Sequence, residues 1–169
     1  IKLWQEESEY FKNDILQNKN DYIVSYVPNT AYHAALGYSK KSDIRFCKIL
    51  SVKKKGRTFI ISNQKERINA LHEKFQIDVS EIHNNSYTSG HIISSKKKKL
   101  ILIDDSIVRG NTLLVIVKKL LETNVFSEIH LRSASPPIYY QDYMGIDIPT
   151  REELIANKMA LQNSSSFLQ

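Results

Sequence analysis

Two adjacent carboxylates, Asp104 and Asp105, follow four apolar residues, Leu100-Ile101-Leu102-Ile103, and precede Ser106-Ile107-Val108-Arg109-Gly110-Asn111-Thr112. The apolar run has the composition of a buried strand. Such a strand delivers both acids to the C-terminal edge of a sheet, where open α/β sheets hold ligands. The residues that follow form a loop, and a helix begins at Thr112. Gly110 lets the backbone come close to a ligand. The open N–H groups of a helix start, with the positive end of its dipole, favour an anion. One short segment therefore offers carboxylates to hydroxyls or a cation, and amides to a phosphate. A ribose 5-phosphate needs that pairing. An acidic pair alone is equally consistent with a surface loop and an N-cap; the whole string 100–112 sets it apart.

The elements that must position this string alternate between strand and helix. Leu3, Trp4, Tyr10, Phe11, Ile15 and Leu16 recur at three- and four-residue intervals, which predicts one amphipathic helix. Tyr22-Ile23-Val24-Ser25-Tyr26-Val27 predicts a buried strand that ends at Pro28-Asn29-Thr30. A short helix is expected over 31–38, a strand over 44–52 and a weaker helix over 63–75. Residues 84–90 are polar and read as a loop. After the strand 100–103 and the loop 104–111 come a helix over 112–122 and a strand over 129–134. Thr150-Arg151-Glu152-Glu153 has the arrangement of a capping box opening a last helix. The serine-rich tail 163–169 is expected to fray. This alternation predicts one α/β domain over 1–169 with a mainly parallel sheet flanked by helices.

Composition narrows the function classes. The chain has 169 residues, 41% hydrophobic and 25% charged, which is ordinary for a globular domain. The net charge of +6 suits a phosphate-bearing partner. The single cysteine, Cys47, excludes an internal disulfide framework and cysteine-rich metal sites. No apolar run approaches the ~18 residues of a membrane span, and no signal peptide is visible, so a reducing, cytoplasmic setting is expected. The chain starts at Ile1 rather than Met, as a fragment would. The run Lys96-Lys97-Lys98-Lys99 lacks the aromatic platform or recognition helix of a nucleic-acid surface and reads as a solvated strand entry. His33, His83, His91 and His130 show no metal-ligand spacing. Tyr139, Tyr140 and Tyr143 are expected to pack under the segment leading to Gly145.

The string 100–112 resembles the signature with which type I phosphoribosyltransferases bind phosphoribosyl pyrophosphate (PRPP). Asp104-Asp105-Ser106-Ile107-Val108-Arg109-Gly110 is most similar to that of the amidophosphoribosyltransferase family. Three other stretches agree, in the right order. Val27-Pro28-Asn29-Thr30 with Ala34-Ala35-Leu36-Gly37-Tyr38 resembles the family's pyrophosphate loop and the helix after it. Gly56-Arg57-Thr58-Phe59-Ile60 resembles its flexible catalytic loop. Ser135-Pro136-Pro137 and Gly145-Ile146-Asp147-Ile148-Pro149-Thr150-Arg151-Glu152-Glu153-Leu154-Ile155 resemble the end of its transferase domain. Only the transferase half is resembled; no counterpart of the glutaminase half is present in these residues.

The resemblance implies a type I phosphoribosyltransferase-like fold and transfer of ammonia to PRPP, giving 5-phosphoribosylamine and pyrophosphate in the first step of purine synthesis. It implies that Asp104 and Asp105 contact the ribose hydroxyls and Mg2+, and that Thr30 joins them as an oxygen ligand of the metal. Residues Ser106, Arg109, Gly110, Asn111 and Thr112 would hold the 5-phosphate, and Asn29 with Thr30 the pyrophosphate side. Arg57 and Lys53 would close over the leaving pyrophosphate as the catalytic cations. Ammonia would come from solution, a glutaminase domain or a partner chain, and homo-oligomer formation is left open. The family usually has an acid at Asn29, a Lys at Ser51, a Tyr at Lys54 and an Arg at His72. Those departures favour an alternative: a PRPP-binding regulatory or assembly module without efficient turnover. A nucleobase acceptor is a third reading, which would need a stacking aromatic over the site.

Overall fold

The chain's first apolar stretch is interrupted. In the computed structural model, which describes residues 2–53, 73–83, 87–88, 91–92, 96–142 and 150–158, α1 (Lys2–Gln5) and α2 (Glu9–Gln17) replace the single helix expected over 3–16. Ser8 caps α2, its hydroxyl accepting from the Phe11 N–H at 3.2 Å. The break turns Glu7 inward, where its carboxylate meets the Arg132 guanidinium at 2.5 and 3.0 Å and accepts from the Tyr38 hydroxyl at 2.8 Å. Tyr10 and Leu16, two of the residues that set the period, face solvent.

Strand β1 (Tyr22–Tyr26) is buried along its whole length, as its β-branched and aromatic residues predict. Helix α3 (Tyr32–Ser42) runs four residues beyond the expected end and stops at Asp43, which is left-handed. The expected strand 44–52 divides into two roles. Around Phe46 the chain bridges Val24 in parallel: the Val24 N–H donates to the Arg45 carbonyl and the Cys47 N–H to the Val24 carbonyl, each at 2.9 Å. It then leaves the sheet as β2 (Leu50–Val52), which pairs antiparallel with β3 (Phe75–Ile77). The expected helix over 63–75 lies outside the described residues except at its end, where Glu73 and Lys74 are helical and Phe75 opens a strand. Helix α4 is the short Ser80–His83. Strand β4 (Tyr87–Thr88), inside the stretch 84–90 expected to be a loop, pairs antiparallel with β5 (His91–Ile92) just beyond it.

Strand β6 (Lys98–Asp104), helix α5 (Asn111–Glu122) and strand β7 (Phe126–Ser133) complete the described elements of regular length. Strand β7 starts three residues before the expected Ile129. The main sheet has the order β1–β6–β7, all parallel, with Val24 opposite Ile101 and Leu102 opposite Leu131. Both faces are covered. Leu100 and Leu102 pack with Leu113, Ile116 and Leu120 of α5 and with Leu50 and Phe75 of the hairpin. Ile101 and Ile103 point the other way, onto Ile15, Ala35 and Tyr38. That is the two-residue period of a strand read on both faces of a parallel sheet. Strand β6 is thus central and dry, and it ends at the acidic pair.

The four lysines that lead into β6 are individually partnered. Lys96 pairs with Asp21, Lys97 with Asn124, Lys98 with the Asn20 carbonyl, and Lys99 with both Asp14 and Glu128. They tie the strand entry to its neighbours. Cys47 is buried, and desolvation pushes its thiol above the ordinary range. Tyr139 and Tyr140 are exposed rather than packed, with the Arg151 guanidinium 5.1 Å from the Tyr140 ring centroid; Tyr143 and Gly145 lie outside the described residues. The expected capping box also differs. Thr150 precedes a 3-10 turn, Arg151–Glu153, with helical residues following over 155–158, and its hydroxyl meets the Glu153 carboxylate at 3.3 Å instead of a backbone N–H. Among the described residues no helix is long and apolar enough to cross a membrane.

Candidate functional site

Strand β6 ends on Asp104, which is 8% exposed, and the loop begins with Asp105, which is half-buried. Each carboxylate is held by the backbone just after it. Asp104 accepts from the Asp105 N–H at 2.9 Å, and Asp105 accepts from the Ser106 N–H at 2.8 Å. The Thr30 hydroxyl, across from β1, also bonds to Asp105. These surroundings drive the two acids apart. Burial, then the neighbouring Asp105, pushes the Asp104 carboxyl up to about 6. The Thr30 hydrogen bond holds Asp105 below the usual carboxylate range, with the Ser106 N–H adding to it.

The Asp104 shift sets a stability test. A carboxyl raised in the folded state binds its proton more tightly there than in the unfolded chain. The stability it contributes is complete below pH ~4 and is lost as pH rises through about 6. Ionised Asp104 therefore burdens the fold at neutral pH. Asp104→Asn should raise the melting temperature at pH 7, on the order of 2–4 °C, and the gain should shrink toward pH 4. Melting curves between pH 4 and 8 check this; a gain independent of pH would remove the assigned cause.

The loop 106–110 turns into α5 through Gly110, whose φ is +77°. A side chain there would be strained, and a Cβ would lie 2.9 Å from Ile155 Cδ1. Gly110 is thus required by backbone conformation, with the end of the Ile155 side chain close beside it, beyond the ligand approach its sequence position suggests. The Gly110 carbonyl accepts the first α5 bond, from the Leu114 N–H at 2.9 Å. The amides before it are those a helix start leaves open to a ligand.

A cleft of about 450 Å³ lies in front of this loop. Asp104, Asp105, Ser106, Arg109, Gly110, Asn111 and Thr112 all line it, as does Thr30. The described lining does not include Asn29, which is exposed beyond a cis Pro28–Asn29 peptide, or Lys53. Arg57, Lys54 and His72 lie outside the described residues. Lys74 and Phe75 of the hairpin form the facing wall. Lys74 has no assigned role in the sequence, but the hairpin brings it to the mouth, where the Lys53 N–H donates to its carbonyl at 2.9 Å. Both lysines are exposed at the same end of β2 and β3. The sequence signal for Lys74 is its place in His72-Glu73-Lys74-Phe75-Gln76, the stretch that resembles the family's Arg-x-Lys-Leu-Asn segment. Arg109 lines the cleft, and its Nε lies 2.5 Å from a Glu153 oxygen. Among the described residues no group of three or more His, Cys, Asp or Glu side chains is placed to hold a metal by itself.

No protein-family profile matches the chain. The amidophosphoribosyltransferase of Mus musculus is 44% identical over 147 residues, which is 86% of this chain and 26% of that protein. The Pyrococcus horikoshii amidophosphoribosyltransferase is 40% identical over 135 residues, 79% of this chain and 26% of that relative. Among solved structures, the B. subtilis glutamine PRPP amidotransferase complexed with ADP and GMP matches with a TM-score of 0.60 at 31% identity. The match covers 85% of this chain and 28% of that one. The structure of the allosteric regulatory enzyme of purine biosynthesis matches with a TM-score of 0.58 at 33% identity, covering 80% of this chain and 26% of that one. The chain spans about a quarter of the length of these relatives, which are glycosyltransferase-type enzymes. It is a homologue of that portion of the amidophosphoribosyltransferases, and its parallel sheet and flanking helices have the type I phosphoribosyltransferase-like fold.

Proposed function

We propose that this chain is a PRPP-binding phosphoribosyltransferase domain that lets ammonia displace pyrophosphate from PRPP, giving 5-phosphoribosylamine. The observation that carries the reading is the shared cleft: two carboxylates at the end of β6 and a helix-start loop beside them. In this reading the loop 106–112 holds the 5-phosphate through its amides, and Asp104 and Asp105 orient the ribose hydroxyls. Thr30 fixes the Asp105 carboxylate. Lys74 and Lys53 put positive charge at the mouth, where the departing pyrophosphate needs it.

The donor set suits Mg2+. That ion takes hard oxygens, one or two carboxylates from the protein and the rest from substrate phosphate and water, so a protein cage of three acids is not required. Asp104, Asp105 and the Thr30 side would hold it, and when bound it supplies charge neutralisation on the leaving pyrophosphate. Ionised Asp105 is available across the neutral range, and Asp104 joins it above pH ~6.

Pyrophosphate release from PRPP in the presence of Mg2+ and ammonium tests the reading. The transferase predicts release that rises with ammonium. Ser51 and Asn29, where the family carries a Lys and an acid, favour a second reading, a PRPP-binding module without turnover. That reading predicts tight PRPP binding and no ammonium-dependent release. Absence of both overturns each of them.

A further inference from the structure

We propose that Glu153 is a positioning residue that acts through Arg109 to hold the loop 106–112 in its ligand-binding shape. The inference rests on the reading of that loop as the 5-phosphate site. Three successive loop residues are each gripped by one short segment far along the chain. The Val108 carbonyl accepts from the Ile155 N–H at 2.9 Å, Arg109 Nε lies 2.5 Å from Glu153 Oε2, and Gly110 sits where any Cβ would meet Ile155 Cδ1 at 2.9 Å. The segment is itself anchored. Leu154 is fully buried, and the Asn157 amide donates to the Arg151 and Tyr139 carbonyls at 2.9 and 3.0 Å. The second Glu153 oxygen takes the Thr150 hydroxyl at 3.3 Å, so the carboxylate is fixed at both ends.

The grip falls on the residue before the left-handed one. Arg109 precedes Gly110 at φ +77°, the point where the loop turns into α5 at the wall of the cleft. A guanidinium free to swing would let the peptide planes around Gly110 rotate, and the open N–H groups of the helix start would no longer converge. Paired with Glu153, Arg109 closes the back of the loop while the backbone faces the ligand. Arg109 here supports the site through its pairing with Glu153. The pair is partly exposed, with side chains 30% and 41% accessible, so a modest effect is expected.

Two measurements on the same variants test this. Amide hydrogen exchange of the ligand-free chain reads the loop directly, and PRPP titration with Mg2+ reads its consequence. Glu153→Gln should speed exchange across 106–112 and weaken PRPP binding, each by about fivefold. Glu153→Asp should recover part of both. In an Arg109→Gln background, Glu153→Gln should add nothing, because its effect runs through that side chain. Additive losses in the double variant, or unchanged exchange in Glu153→Gln, overturn the proposal. If the unaltered chain binds no PRPP, the functional reading falls, while the exchange data still decide whether Glu153 holds the loop.

Discussion

Asp105→Asn should weaken Mg2+-dependent PRPP binding about ten- to hundredfold and leave the fold nearly unchanged. The loss follows from charge. A hydrogen bond to an ionised partner is worth about 1.5–3 kcal/mol, and Asp105 stays ionised because Thr30 and the Ser106 N–H hold its carboxylate below the usual range. An asparagine keeps an acceptor oxygen for both of those partners, so the loop should retain its shape. It cannot offer charge to the metal. Calorimetry with PRPP, with and without Mg2+, reads the effect; unchanged affinity in the variant would return Asp105 to the role of a loop carboxylate. Thr30→Val should give a smaller loss in the same titration, because it frees the carboxylate without removing it.

Gly110→Val should disturb both stability and binding. A non-glycine residue in left-handed backbone costs roughly 1–2 kcal/mol, and more when β-branched. The added Cβ would also press on Ile155 Cδ1 at 2.9 Å. The Ile155 methyl ends a side chain and can move, but the strain of the left-handed residue is relieved by turning the Arg109–Gly110–Asn111 backbone, which moves the amides that start α5. A melting temperature lowered by several degrees, about 2–4 °C per kcal/mol for a chain this size, should accompany loss of PRPP binding. Gly110→Asn separates the two causes, since asparagine tolerates the left-handed region. It should recover most of the stability, while the Ile155 contact remains. A valine variant with ordinary affinity would show that the loop amides do not hold the phosphate.

The sheet and the cleft were legible because local and tertiary signals coincide there. The run 100–103 is apolar on both strand faces, and the structure covers both faces. The helix after Gly110 begins within one residue of the expected position, because glycine at that turn is demanded by backbone conformation. Legibility failed where one stretch serves two partners. Residues 44–52 are uniformly strand-like, and no feature in the stretch tells where the chain leaves the Val24 edge for the hairpin. The α1–α2 break was hidden by an apolar period that continues across it; its cause, the pairing of Glu7 with Arg132, spans 125 residues. Glu153 was read as half of a capping box, yet its main partner is Arg109, 44 residues away. Long-range ion pairs leave no periodic trace, so the back of the loop stayed invisible while its front was plain.

The most direct test of the cleft as the PRPP site is to titrate PRPP and Mg2+ into the chain while following its backbone amides by NMR. The largest shifts should fall on residues 106–113 and on Thr30, with Asp104 and Asp105 joining them. Asp105→Asn should move the midpoint of those shifts about ten- to hundredfold higher in ligand. PRPP binding that leaves 106–113 unmoved and shifts amides elsewhere would contradict the assignment, as would a saturating response that persists unchanged in Asp105→Asn.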